Sequence, residues 1–325
     1  MIARERGSRL LGGAGAPVPA PGGGTVQVRD RHTAVHAPER CPTPTPEARL
    51  AAPAPPPVRR RADRTWRGVQ RPHRGGPLNP VPEQLPVDYG RLAAVGPYFA
   101  LDSSADGTPP PGFRPLPELY GTGPDAPLAG RIRVVAQRLG TAEPRVAASI
   151  LHLGLAARFW SVGLGSAVLL GAVPTLERAW VRIPDQGPID LWTPPEPVAA
   201  RPAGLADQLQ ETVLMGQLEP LAAAVRAAVP LSARLLLGNA ASALAGTLRV
   251  LEAHAPGPAR ELVAELLDRP PLAGSGTLRT GPHGTAFRRT SCCLYYRIGP
   301  GAGLCGDCCF SRPPRPGKAT GRREN

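Results

Sequence analysis

Thiol side chains are the one group in this chain dense enough to do chemistry together. Five of its six cysteines fall between Cys292 and Cys309, in the run Cys292-Cys293-Leu-Tyr-Tyr-Arg297-Ile-Gly-Pro-Gly-Ala-Gly-Leu-Cys305-Gly-Asp-Cys308-Cys309. A disulfide framework would also use many thiols, but it belongs to short secreted chains with cysteines spread along them. Here the chain has 325 residues and the thiols sit at one end. Thiolates around a Gly-rich loop suit a metal instead, either Zn²⁺ or an iron–sulfur cluster, both of which take four soft ligands. Cys305 and Cys308 have the Cys-x2-Cys spacing of zinc knuckles and ribbons. Cys292 and Cys293 are adjacent, a spacing rarely used for two ligands of one zinc ion, whereas a two-iron cluster offers ligand positions on two separate iron atoms.

Adjacent cysteines, a Tyr- and Gly-containing loop and a Cys-x2-Cys pair resemble the C-terminal motif of the ferric-siderophore reductases, the FhuF-type [2Fe-2S] proteins. Further upstream the resemblance takes in Val95-Gly-Pro-Tyr-Phe-Ala100, Ser149–Trp160, Gly238-Asn-Ala-Ala-Ser242 and Pro270-Pro-Leu-Ala-Gly274, and so covers roughly residues 83–310. It implies a [2Fe-2S] cofactor held by Cys292, Cys293, Cys305 and Cys308. The loop between the pairs, Leu294 to Leu304, is one residue longer than is usual in that family, and Cys309 adds a thiol beside the fourth position, an alternate ligand. The resemblance also places Asn239 in a substrate cleft, although by its sequence context Asn239 reads as the N-cap of the helix that follows.

Function follows from the metal chemistry. Iron(III) is a hard cation gripped by the oxygen ligands of hydroxamate or catecholate chelators, and iron(II) is held far less tightly. The expected activity is a one-electron reduction of imported ferric siderophores in the cytoplasm. No G-x-G-x-x-G fingerprint is present, so the electron is expected from a separate donor such as a ferredoxin or a reductase. Two other classes stay open: a cluster-based iron or redox sensor, and a zinc-stabilised binding module without redox activity. Arg288, Arg289, Tyr295, Tyr296 and Arg297 flank the cysteines. They read either as loop packing and solvated charge, or as groups that tune the cluster and dock an anionic chelate or acidic donor.

The formal charge of +13 is unevenly placed. Residues 1–80 carry 14 Arg against 5 acidic residues, whereas residues 81–268 carry 14 against 18. The basicity therefore belongs to the ends, and no basic module with interleaved aromatics marks a nucleic-acid partner. The first eighty residues also hold 14 Pro and 10 Gly without hydrophobic periodicity, so they cannot bury enough apolar surface to offset chain entropy. They are expected to be a disordered arm or a stretch upstream of the true start, Met1 and Met215 being the only methionines. Cys41 in this arm reads as an incidental thiol. Neither Leu10-Leu11 nor Arg59-Arg-Arg61 has the apolar stretch of a secretory signal behind it, and at most peripheral membrane association is expected.

From residue 81 the pattern becomes that of an α+β fold, predominantly helical, with a helical domain over 81–268 and a cluster-binding segment with a basic tail over 269–325. Asp102–Gly130 reads as loop. A helix follows with Thr141 as N-cap and Val146, Ile150, Leu153 and Ala157 at helical spacing. Residues 146–173 are apolar enough for a membrane span, but Arg158 and His152 argue against one, and two buried helices joined at Ser161–Gly165 are expected. Residues 179–183 and 189–192 predict a hairpin. Leu205, Leu209, Val213 and Leu214 mark one helix, Leu237, Ala241, Leu244, Leu248 and Leu251 another, and Ala259–Leu267 a last one. His152 reads as a hydrogen-bonded core histidine. His254 and His283 lie at a helix end and in a loop, with no ligand role once four thiolates are in place. Ser149, Ser161 and Ser166 lack a nucleophile elbow, and Gly163, Gly165, Gly274 and Gly276 read as turn glycines.

Overall fold

The computed structural model describes residues 87–123, 125–195, 204–281, 284–299 and 301–314, all within the unit Glu39–Asn325. The arm over residues 1–80, with Cys41, and the loop residue His283 lie outside the described residues. About half of the described residues are helical, with two small sheets.

A short helix α1 (Gly90–Ala93) and strand β1 (Arg114–Pro115) precede two long helices, α2 (Pro127–Leu139) and α3 (Pro144–Leu170). Helix α2 falls largely beyond the stretch expected as loop, where the sequence marks no element. It starts with Pro at its first position and stops at Gly140, whose φ of +62° is the left-handed cap that glycine takes most easily. Strands β2 (Trp180–Arg182) and β3 (Asp190–Trp192) form the expected hairpin, with Trp180 opposite Trp192, and β1 extends it to three antiparallel strands.

The expected pair of helices joined at Ser161–Gly165 is a single helix, α3, and its glycines are not turns. Its side chains are buried nearly all round, from Val146 through Ala167. A Cβ at Gly163 would lie 2.5 Å from Val213 Cγ2, and one at Gly165 would lie 2.8 Å from Phe99 Cδ1. The glycines keep the helix wall thin where neighbours pack closest. Gly163→Ala gains about 1 kcal/mol of helix propensity but overpacks the Val213 contact at a cost of about 1–3 kcal/mol. A lowered denaturation midpoint is the expected outcome, and a raised one would show that the glycine is there for another reason.

By length and composition α3 could cross a membrane, but two thirds of its most apolar window is buried inside the protein. Arg158, at its middle, is 2% exposed. It donates from Nε to Ile189 O at 2.9 Å, from Nη1 to Tyr98 O at 2.6 Å and from Nη2 to Ala100 O. Burial pulls its pKa down to about 10, so it remains a cation, solvated by three backbone carbonyls instead of water. It thereby ties Tyr98–Ala100 and the end of the hairpin to α3.

Helices α4 (Leu205–Leu209) and α5 (Glu219–Ala228) are continuous through a π-helical stretch, Gln210–Leu218. Wider winding there keeps Leu209, Val213, Leu214 and Leu218 all buried. Helix α6 (Ala233–Leu251) makes the most extensive contact with α3, and its Ala241, Leu244, Leu248 and Leu251 are buried as their spacing requires. Helix α7 (Pro256–Asp268) closes the helical part. A second hairpin, β4 (Gly276–Gly281) and β5 (Gly284–Arg289), packs on α6 and leads directly into the cysteines. Thr141 does not cap α3. Its Oγ1 accepts from Glu143 N–H, and Glu143 occupies the cap position.

Candidate metal centre

Strand β5 delivers the site. Its inward residues alternate Thr285, Phe287 and Arg289, and the chain then turns into Cys292 and Cys293. The returning Cys305–Cys308 stretch is tied to β5 by Arg289 N–H donating to Asp307 O at 3.0 Å. Both ends of the cysteine loop are thus fixed to one strand, which brings together thiols twelve residues apart.

Cys293 and Cys305 Sγ lie 3.3 Å apart, within S–H···S distance, and the cysteines of the described residues form no disulfide. Cys292 Sγ accepts from Leu294 N–H at 3.3 Å, and Cys308 Sγ from Phe310 N–H at 3.4 Å. The close thiols are placed to form a hydrogen bond. That hydrogen bond lowers the pKa of Cys293 to about 6, with help from the Tyr295 N–H and Arg289, and it raises that of Cys305. Burial pushes Cys292 up, against the Leu294 N–H. Cys309 is buried, at 6% exposed, and its carbonyl accepts from Arg288 Nη2. Among the described residues no three His, Cys, Asp or Glu side chains converge as a group of metal ligands; of the thiols, Cys293 and Cys305 are the pair in contact.

Helices α3 and α6 hold the loop from behind with polar groups. Ser149 Oγ donates to Cys293 O at 2.7 Å. Asn239 Nδ2 donates to Ser149 O and Oγ, at 2.9 and 3.2 Å, and Arg289 Nη2 donates to Asn239 Oδ1 at 2.7 Å. Asn239 is therefore not an N-cap. It lies inside α6, fully buried, bridging α3 to the strand that carries the cysteines, while Ser232 stands at the helix start. Gly238 beside it lets the loop approach, since a Cβ there would meet Ser291 Oγ at 2.1 Å. Asp307, inside the Cys-x2-Cys pair, accepts from Ser242 Oγ and from Arg249 Nη1, the latter at 3.0 Å. Its position between two thiolates marks it in hindsight: a carboxylate there needs partners from elsewhere. Ser149 carries no such mark, and only the fold reveals its role.

The flanking residues separate by environment. Arg289 is 2% exposed. Arg297 is paired with Glu143 at the start of α3, with Nη2 to Oε2 at 2.8 Å. Tyr296 meets Phe310 edge-on, ring centroids 6.1 Å apart, and Tyr295 is exposed. His152 is buried as expected but is not hydrogen-bonded, since neither ring nitrogen has a partner. His254 caps the end of α6, with Nδ1 3.3 Å from Val250 O.

Residues 289–310 match the family model of the FhuF 2Fe-2S C-terminal domain. This segment is a FhuF-type 2Fe-2S domain. Its cofactor is a [2Fe-2S] cluster. Comparison with curated proteins and with solved structures gives no match. The residues present fit such a cluster. Unbridged thiols of opposite pairs approach one another, backbone N–H groups point at two of the sulfurs as they do around electron-transfer clusters, and a buried cation stands beside the loop.

Proposed function

We propose that this protein is a one-electron reductase of ferric siderophores. The observation that carries the reading is the FhuF-type segment over residues 289–310, with Cys293 and Cys305 brought together beyond the end of β5. A bound [2Fe-2S] cluster supplies one electron at a time, enough to convert a ferric chelate to its ferrous form. Cys292, Cys293, Cys305 and Cys308 would hold it. For the fourth position, Cys308 Sγ accepts the backbone N–H two residues on, as Cys292 Sγ does, and this matched geometry supports Cys308 over Cys309. The remaining residues orient and shield. Ser149 and Asn239 fix the Cys293 carbonyl, Asp307 fixes the Cys-x2-Cys turn, and Cys293 at 1% exposed faces away from water. The acceptor would be a ferric hydroxamate or catecholate chelate, and the donor a separate redox protein, in the cytoplasm.

The test mixes anaerobically reduced protein with a ferric hydroxamate siderophore in the presence of a ferrous chelator. One Fe²⁺ should be captured for each electron lost, as the cluster returns to its oxidised spectrum. NADH or NADPH alone should leave the resting protein oxidised, because among the described residues no strand, glycine-rich turn and helix cradle a pyrophosphate. A reduced protein that ignores ferric chelates yet cycles with a redox partner overturns the assignment and favours a sensor.

A further inference from the structure

Arg289 is a charge without a visible counter-charge. It is 2% exposed, and burying an unpaired ion costs several kcal/mol. Its Nη2 is spent on Asn239 Oδ1 and on Leu235 O, both in α6. Its Nε and Nη1 are buried and have no partner. No carboxylate lies within ion-pair distance of it among the described residues, and the loop's own Asp307 is committed to Ser242 and Arg249. The neighbouring imidazole of His152 offers no negative charge. Yet the site is built to receive this guanidinium: a Cβ on Gly238 would come within 3.0 Å of Nη2. The anion that faces Arg289 must arrive with the cofactor. Arg289 lies three residues before Cys292, and through Asn239 and Ser149 it is linked by hydrogen bonds to the Cys293 carbonyl.

We propose that Arg289 is the buried counter-ion of the [2Fe-2S] cluster, a positioning residue whose uncommitted N–H groups donate to cluster sulfur and favour the reduced state. The inference rests on the cluster and not on the acceptor, so it stands or falls separately from siderophore reduction. Four thiolates and two sulfides outweigh the charge of two ferric ions, and one added electron makes the assembly more negative still. A fixed cation in a dry site stabilises the reduced form more than the oxidised one, which raises the potential. Arg297, held by Glu143 at the surface, and Arg288, with its Nη2 on Cys309 O, lack this combination of burial and free donors.

Redox titration of cluster-loaded Arg289→Gln, followed by absorption and paramagnetic resonance, should show the reduction equilibrium weakened at least tenfold, or about 59 mV for one electron. Arg289→Lys should keep most of the potential, and Arg297→Gln should change the equilibrium less than twofold. Asn239→Asp leaves the arginine in place but gives it a carboxylate partner, so its potential should fall in the same direction as that of Arg289→Gln. Potentials within twofold of wild type for Arg289→Gln, or for Asn239→Asp where the glutamine variant does not load, overturn the proposal. Wild-type protein carrying guanidino-¹⁵N arginine gives an independent readout. Pulsed paramagnetic resonance of the reduced cluster should detect coupling to an arginine nitrogen that persists in Arg297→Gln, and its absence would also overturn the proposal.

Discussion

Serine in place of Cys293 or Cys305 is expected to strip the [2Fe-2S] cluster or to move its absorption and paramagnetic spectra, with loss of most iron and acid-labile sulfide. These two sulfurs are already 3.3 Å apart before any metal is considered, and the fold spends a β-hairpin and two helices on bringing them there. Serine offers a harder, less readily ionised oxygen, poorly matched to iron that prefers sulfur. The informative comparison is between Cys308 and Cys309. Cys308 Sγ receives the Phe310 N–H as Cys292 Sγ receives the Leu294 N–H, whereas Cys309 is buried with its carbonyl on Arg288. Cys308→Ser should therefore behave like Cys305→Ser, and Cys309→Ser should retain full iron and sulfide. The reverse pattern would move the fourth ligand by one residue. Loss of cluster should also lower stability, because metal binding free energy is folding free energy and the apoprotein keeps the Arg289 charge buried without compensation.

The cysteine cluster was legible because metal ligands announce themselves by type and spacing, and nothing else in the chain competes with them. Helices α6 and α7 were legible for a similar reason: their apolar residues recur at three and four, and proline follows α7. Helix α3 was legible as buried helix but not in its continuity. Gly163 and Gly165 look the same in sequence whether a chain turns there or a neighbour packs close, and only Val213 and Phe99 decide between the two. The β4–β5 hairpin was missed although Thr285, Phe287 and Arg289 alternate, because an arginine at an inward position disguises the period. That same arginine was visible as one of three near the cysteines. What separates it from Arg288 and Arg297 is burial, a tertiary property that no local pattern carries. Asn239 shows the same limit from the other side, since its sequence context favours a cap while its fold position makes it the bridge between Ser149 and Arg289.

His152 gives the largest effect expected away from the cysteines. The imidazole is 1% exposed, with no hydrogen-bond partner at either nitrogen, and its pKa is pushed down to about 3 by burial first and by the Arg289 charge second. In the unfolded chain the same group titrates at about 6.5. Between these values the unfolded state binds the proton and the folded state does not, so folding stability rises with pH across that window. The contribution is complete above about pH 6.5 and is lost as pH falls toward 3, reaching a loss of about 2 kcal/mol by pH 5. His152→Leu removes the group, fills a similar volume in an apolar helix interface and leaves the other acid-sensitive carboxylates and thiols untouched. The cluster-loaded variant should match or exceed wild type in thermal midpoint at neutral pH, and the gap in its favour should widen steadily from pH 7 to pH 5. Parallel curves for the two proteins over that range would mean that His152 is protonated in the folded state, and therefore that an anion close enough to offset both its burial and Arg289 stands beside it.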